Sequence, residues 1–150
     1  MVLYQWKGLS GSAMKVIALV SMTVDHIAYY LMDNGTLQYD VMRTVGRMAF
    51  PTFAFLLVEG YTHTRSTGKY ALNLLAFALI SEVPWWLLNH DNTHNVFFTL
   101  LLGLIAIEGM CRIGDKPLIW CIIIASICGN AIWLHVDYEY SGILLICACL

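Results

Sequence analysis

The chain is poor in charged residues, which make up 12% of its 150 amino acids. A soluble domain usually carries roughly 25% charged residues. Hydrophobic residues instead reach 59%, and the mean hydropathy is +0.69. The net charge of −2 is small and the sequence has no basic run, so nucleic acid is not an expected partner. These values exclude an ordinary soluble domain and indicate a membrane protein.

The sequence also lacks the residue spacings of a metal site. None of its five cysteines forms a CxxC pair or has a histidine or carboxylate at the spacing of a zinc ligand set. His90 and His94 share a polar loop, where a ligand role is not expected. No metal is therefore predicted, and the cysteines are interpreted as small buried hydrophobic residues. They are Cys111, Cys121, Cys128, Cys147 and Cys149.

Short polar connections separate six apolar segments, which are residues 13–32, 41–60, 70–88, 96–110, 117–134 and 141–150. A helix needs about 20 apolar residues to span a bilayer. We therefore predict an all-α fold, a polytopic transmembrane helical bundle with about five full spans and an incomplete sixth. The whole chain, residues 1–150, is expected to form a single transmembrane domain.

Basic residues favour one orientation of this bundle. They occur before or at the start of the first segment, between the second and third, and between the fourth and fifth: Lys7, Lys15, Arg65, Lys69, Arg112 and Lys116. The alternate connections contain Asp and Glu but no Lys or Arg. Because cytoplasmic loops are the ones rich in Lys and Arg, the N-terminus is expected in the cytoplasm. Arg43 and Arg47 depart from this pattern, at the outer end of the second segment.

Asp25 and His26 lie side by side inside the first apolar segment. An Asp at the centre of a membrane helix costs on the order of 2.5–3.5 kcal/mol, so such residues usually mark a functional site. A carboxylate beside an imidazole suits acid–base catalysis. Neighbouring helical residues point about 100° apart, so Asp25 can instead pair with an arginine while His26 faces the substrate. A purely structural tie between helices is the third interpretation.

Arg43 and Arg47 have the i, i+4 spacing that places both side chains on one face of a helix. Two guanidinium groups held in this way can bind a phosphate or an anionic intermediate. The alternatives are an approach to the lipid headgroups or a pair with Asp25 or Glu82. Pro51 is expected to kink the same helix and open backbone carbonyls.

Further polar residues are predicted at the same depth in the outer half of the membrane. Glu82 lies in the third segment, and Asn95 and Thr99 begin the fourth. Asp137 lies in the outer loop before the sixth segment. Glu82 is expected to neutralise Arg47 or to orient an attacking amine, with structural pairing as the alternative.

Several sequence blocks then carry a family likeness. They are Gly8-Leu9-Ser10-Gly11, Asp25-His26, Arg43-Thr44-Val45-Gly46-Arg47-Met48-Ala49-Phe50-Pro51, Phe55 to Gly60, Ser81-Glu82-Val83-Pro84, Asn95 to Leu100 and Asp137-Tyr138. In content and order they resemble the TraX family of membrane acetylases. The resemblance implies N-terminal acetylation of conjugative pilin in the bacterial inner (cytoplasmic) membrane, with acetyl-CoA as co-substrate. Relatives continue through further helices, so the chain is expected to be truncated at its C-terminus.

A fainter resemblance extends to the wider transmembrane acyltransferases, including the type 3 family. Those proteins show a basic residue before a histidine in the first helix, as Lys15 precedes His26 with ten residues between them. They also show an arginine pair followed by proline, as Arg43 and Arg47 precede Pro51. Lysine stands here where those relatives have arginine.

The resulting hypothesis is a transmembrane acetyltransferase that moves an acetyl group from cytoplasmic acetyl-CoA to an acceptor on the outer side. The acceptor is an amine or hydroxyl, a pilin-like N-terminus by resemblance, and membrane lipid surrounds the enzyme. The expected catalytic residues are His26, as general base or acetyl carrier, Asp25, Arg47 and Glu82. The residues expected to bind the acceptor or the acyl donor are Arg43, Asn95, Thr99, Asp137 and Lys15.

Two other classes of protein fit buried Asp, His, Glu and Arg residues. A proton-coupled transporter fragment would use them as a proton relay, although the chain shows no clear pair of matching halves with broken helices. A non-catalytic membrane assembly factor would use them only to lock helices together. Substitution of His26 separates the classes, since an enzyme stays folded and loses turnover.

Overall fold

The structure is a computed structural model that describes residues 10–88, 93–114, 116–135 and 138–150. These residues form α-helices joined by short connections. The helices are α1 (Gly11–Leu31), α2 (Leu37–Arg47), α3 (Ala49–His63), α4 (Thr67–Leu88), α5 (Val96–Ile113), α6 (Pro117–Trp133) and α7 (Glu139–Ala148).

Local sequence signals fix several helix ends. Side chains of Ser10, Thr36 and Asn95 accept hydrogen bonds from backbone N–H groups in the first turns of α1, α2 and α5, as N-cap residues do. Helix α5 ends at Gly114, whose φ of 69° is a conformation that glycine adopts without a steric penalty. Helix α6 begins with Pro117, where a missing N–H costs nothing.

Four helical stretches of the described chain are long and apolar enough to cross a membrane. They are Gly11–Leu31, Leu37–His63, which joins α2 and α3, Thr67–Leu88 and Val96–Ile113. Helix α6 is a shorter apolar helix of 17 residues and α7 has 10. The predicted all-α transmembrane fold is confirmed, with four long spans and the shorter helix α6 in the described chain where about five full spans were expected.

Burial in the structure is reversed relative to a soluble protein. Large apolar side chains such as Leu72, Ile80 and Val83 on α4 are more than 60% exposed. Alanines, including Ala18, Ala28, Ala54, Ala78, Ala106 and Ala131, are completely buried. Lipid solvates large apolar side chains, and small residues let helices approach closely. The chain is therefore a membrane protein.

The chain divides into two compact units, residues 1–56 and 57–150. In the first unit, α1 packs against α2. Helix α2 ends at Arg47 and α3 starts at Ala49, so the helical path is interrupted at Met48. Pro51 has no N–H to donate to the carbonyl of Arg47. The helical path is thus interrupted one turn before Pro51, the proline from which a kink was predicted.

In the second unit, α5 contacts α4, α6 and α7. Its core is formed by Ala106, Ala131 and Ile143. Gly103 on α5 lies directly against Ile146 on α7, so closely that a methyl group at position 103 would overlap the Ile146 side chain. The absence of a side chain at Gly103 therefore sets the distance between α5 and α7.

The α3–α5 contact of the second unit has its own polar tie. Tyr61 donates a hydrogen bond to Glu108 at 2.8 Å, and Arg112 binds the other oxygen of Glu108 at 2.6 Å.

The prediction of buried cysteines is wrong for Cys111 and Cys121, which are exposed, and the other three are only half-buried. An apolar residue of a membrane helix can face lipid as well as the core, so hydrophobicity alone does not bury it.

Candidate functional site

Asp25 of α1 and Arg43 of α2 form a salt bridge within the spanning segments of the first unit. Arg43 Nη1 donates to Asp25 Oδ2 at 2.5 Å, and the two side chains are 21% and 17% exposed, respectively. The guanidinium also lies 5.1 Å from the centre of the Tyr29 ring, within the range of a cation–π interaction. Each charge is expensive in a membrane without its partner. The structure thus contains the Asp25–arginine pair that the sequence analysis gave as one alternative.

The second carboxylate oxygen, Asp25 Oδ1, is buried and accepts no hydrogen bond from the residues that the structure describes. A methyl group at Gly46 would overlap Asp25, so Gly46 lets α2 approach the carboxylate. Ser21 donates to the carbonyl of Val45 at 2.6 Å and holds the end of α2. The sequence analysis missed both positioning residues, although Gly46 stands between the two arginines of the distinctive block.

His26 is half-buried on α1, next to Asp25 in the sequence. Its Nδ1 lies 2.8 Å from the carbonyl oxygen of Met22, one helical turn back. A carbonyl can only accept, so Nδ1 carries a proton, and in the neutral form of the ring the lone pair is on Nε2. The backbone rather than Asp25 thus sets the tautomer of His26. This is the state that a general base or nucleophile requires.

Arg47 and Lys15 are both exposed. Arg47 is the last residue of α2, one turn beyond Arg43, and forms no salt bridge with a described residue. Lys15 lies in the second turn of α1, about 16 Å along the helix axis from His26 at a rise of about 1.5 Å per residue.

Glu82 belongs to a separate polar cluster in the second unit. His94 Nδ1 lies 2.5 Å from Glu82 Oε1, and Asn95 Nδ2 donates to Glu82 Oε2 at 2.7 Å. Asn95 is 3% exposed and also donates to the carbonyl of Ala78 at 2.9 Å. Structural pairing was one of the interpretations of Glu82, and its described partners are His94 and Asn95. Its role toward an acceptor stays a prediction.

Thr99 is fully buried, one turn into α5 after the N-cap Asn95. Asp137 lies outside the described residues, so its expected role stays a prediction. The predicted site residues therefore fall into two groups. Asp25, His26, Arg43, Arg47 and Lys15 belong to the first unit, and Glu82, Asn95 and Thr99 to the second.

His94 is a further polar residue whose contacts the sequence analysis missed. It was interpreted as a loop residue because it lies just outside an apolar segment. A usable signal was its position in the short connection that follows α4. Antiparallel neighbouring helices bring the end of one and the start of the next together, which places residue 94 near the last turns of α4.

Spanning helices, lipid-facing apolar residues and an ion pair inside the spans define a polytopic helical membrane protein. The chain belongs to the TraX family, since the family model described as TraX protein matches residues 10–150. No solved structure matches the chain significantly.

Two curated proteins are similar to the chain. The probable fimbrial assembly protein FimC, serogroup H1, of Dichelobacter nodosus is 36% identical over 110 residues, which cover 65% of this chain and 45% of the relative. An uncharacterized protein of Rickettsia prowazekii (strain Madrid E) is 25% identical over 151 residues, covering 92% of this chain and 54% of the relative. The chain thus spans about half the length of the curated relatives it matches.

Proposed function

We propose that the chain is a membrane-embedded acetyltransferase that uses acetyl-CoA and acetylates an amine. The observation that carries the proposal is the Asp25–Arg43 ion pair inside the spanning segments, with His26 next to Asp25 on α1. Membership of the TraX family supports it. The name of the Dichelobacter nodosus relative, a fimbrial assembly protein, favours a pilin-like N-terminus as the acceptor.

In the proposed reaction, His26 acts through Nε2, either as a general base or as a transient carrier of the acetyl group. Transfer builds negative charge on the carbonyl oxygen of the thioester, and a nearby guanidinium stabilises that charge. Among the described residues, Arg43 donates one of its five N–H groups, to Asp25, and Arg47 forms no salt bridge. As a general base, His26 takes one N–H proton while the acceptor nitrogen bonds to the acetyl carbon and the carbon–sulfur bond breaks. As a carrier, His26 Nε2 first takes the acetyl group from sulfur, and the acceptor nitrogen then displaces Nε2 and releases its proton to water. In both cases CoA leaves as a thiolate.

The proposed localisation is the inner (cytoplasmic) membrane with a cytoplasmic N-terminus, as the distribution of Lys and Arg favours. Acetyl-CoA then approaches from the cytoplasmic side, where Lys15 is a candidate for its anionic nucleotide. The acceptor approaches from the outer side. Glu82, Asn95, Thr99 and Asp137 are proposed to serve the acceptor.

The test is transfer of label from radiolabelled acetyl-CoA to amine-bearing peptides in membranes that contain the chain. His26→Ala is expected to abolish transfer while the protein stays folded. His63→Ala is a matched control, because His63 is exposed on α3 and its Nδ1 has the same bond to a carbonyl one turn back. Undiminished transfer by His26→Ala would exclude His26 from the reaction. No transfer by the folded wild-type chain would overturn the enzyme proposal.

A second candidate function is a non-catalytic assembly factor. The name of the Dichelobacter nodosus relative favours it, and so does the tie that Asp25 and Arg43 make between α1 and α2. In that case the polar residues only hold helices together. His26→Ala would then lower the melting temperature, and no acetyl transfer would be found in the wild type.

A further inference from the structure

Asp25 holds Arg43 through a single hydrogen bond. Arg43 Nη1 donates to Asp25 Oδ2 at 2.5 Å, and Asp25 Oδ1 accepts no hydrogen bond from the described residues. Two parallel N–H···O bonds to a carboxylate would fix the plane of a guanidinium group, whereas one bond lets the group turn about the contact. A second restraint is therefore needed if the remaining N–H groups of Arg43 are to point in one direction.

The ring of Tyr29 supplies a second restraint on Arg43. Tyr29 lies one turn after Asp25 on α1, so the two side chains share a face of that helix. The guanidinium carbon of Arg43 lies over the Tyr29 ring, 5.1 Å from its centre, and a cation is attracted to a ring face within about 6 Å. Asp25 thus holds one end of the guanidinium group, and Tyr29 restrains the group from the side of the ring.

Tyr30 holds the Tyr29 ring in turn. The centres of the two rings are 4.9 Å apart and their planes are 86° apart, which is the edge-to-face arrangement that aromatic pairs favour. The ring of Tyr30 also lies 6.1 Å from the ring of His26, one turn back on α1. Successive ring contacts within the first unit therefore connect the guanidinium of Arg43 to the imidazole of His26.

Core packing does not account for Tyr29, which is 54% exposed. A tyrosine on a membrane helix also serves as an anchor at the depth of the lipid headgroups. An anchor changes how much protein is inserted and leaves the rate of each inserted molecule unchanged. A role through Arg43 instead depends on the ring face and changes that rate, so the two roles can be separated by measurement.

We propose that Tyr29 is a positioning residue for Arg43 in acetyl transfer. The inference rests on the proposed acetyltransferase function. In that reaction negative charge develops on the carbonyl oxygen of the thioester, and a donor stabilises this charge best when its direction is fixed beforehand. Tyr29 keeps the N–H groups of Arg43 that do not bind Asp25 directed at that oxygen. The Tyr29 ring itself contacts neither the acetyl group nor the acceptor.

The test is transfer from radiolabelled acetyl-CoA to an amine-bearing peptide in membranes that contain the chain, with kcat expressed per molecule of inserted protein. Tyr29→Leu keeps an apolar side chain at this exposed position and removes the ring face. Its kcat is expected to fall about 10-fold, less than the roughly 100-fold that loss of a donor itself costs. The values of kcat and kcat/KM should fall together, because the interaction acts in the transition state.

Tyr29→Phe keeps the ring face and should restore kcat to near the wild-type value. Tyr140→Leu is the matched control, because Tyr140 is 49% exposed on α7 of the second unit, and its kcat should equal that of the wild type. An unchanged kcat in Tyr29→Leu, or an equal loss in Tyr29→Phe, would overturn the role of the ring. A loss confined to the amount of inserted protein would also overturn it and identify an anchor. If the wild type transfers no acetyl group, the acetyltransferase proposal itself is wrong, and the role of Tyr29 falls with it.

Discussion

At the scale of single residues, Asp25 depends on two neighbours that act in different ways. Arg43 neutralises its charge, and Gly46 provides the space in which the carboxylate fits. Ser21 fixes the end of the helix that carries both neighbours. A charged residue inside a membrane span costs free energy. The close fit of Arg43 and Gly46 around Asp25 is therefore the main reason to propose a catalytic site at this residue.

Gly46→Ala is expected to displace Asp25 from Arg43. The new methyl group would overlap the Cα and Cβ of Asp25, and α1 and α2 must move apart to admit it. Overpacking of this kind costs about 1–3 kcal/mol. The free energy of unfolding in detergent micelles is the measurement, together with acetyl transfer, which should fall with it.

Gly129→Ala is the matched control for Gly46→Ala. Gly129 also lies inside a helix, and a methyl group there meets no atom within 4 Å. Alanine is the better helix former by up to about 1 kcal/mol, so this variant should be as stable as the wild type or more so. Equal effects of the two substitutions would show that close packing against Asp25 is unimportant.

At the scale of helices, packing in the second unit depends on how closely α5 approaches α7. Gly103→Ala would place a methyl group on the Ile146 side chain, whose Cδ1 is its nearest neighbour. Ile146 is completely buried and has little room to move. The substitution is expected to cost about 1–3 kcal/mol in the free energy of unfolding.

Ile146→Val should relieve this clash, because valine lacks the Cδ1 atom. Alone it is expected to cost about 0.5–1.5 kcal/mol. The double variant should be more stable than the sum of the single effects predicts, by about 0.5 kcal/mol or more. Gly109→Ala on the same helix is the control, since its methyl group would lie at an ordinary 3.5 Å from Ile123. If the effects of the two substitutions on the free energy of unfolding are strictly additive, α7 has moved away from the added methyl group and does not clash with it.

The helices themselves could be predicted because hydropathy is a local property of about 20 residues. The Asp25–Arg43 pair could be predicted as an alternative, since a charge in a membrane needs an opposite charge close by. The pairing of Glu82 with His94 could not, because it depends on how the α4–α5 connection folds back. The exposure of Cys111 and Cys121 could not either, because lipid and the protein core both accept apolar side chains.

At the scale of the whole molecule, the two ends of the spans differ in charge. Basic residues lie beside the α3–α4 and α5–α6 connections, and the α1–α2 connection has none. The difference predicts which connections face the cytoplasm. In the proposed function, acetyl-CoA approaches from one side of the membrane and the acceptor from the other, so that function depends on this orientation.

Single cysteines can test this orientation in a background whose five native cysteines are replaced by alanine. Asn34→Cys lies in the exposed α1–α2 connection, and Gly68→Cys in the exposed first turn of α4, where nothing lies within 4 Å of an added Cβ. A membrane-impermeant thiol reagent should label residue 34 in intact cells and residue 68 only after permeabilisation. The opposite pattern would place the acceptor side in the cytoplasm and contradict a cytoplasmic N-terminus. It would then be the Asn34 end of the spans that acetyl-CoA reaches, and Lys15 would lie on the wrong side to bind it.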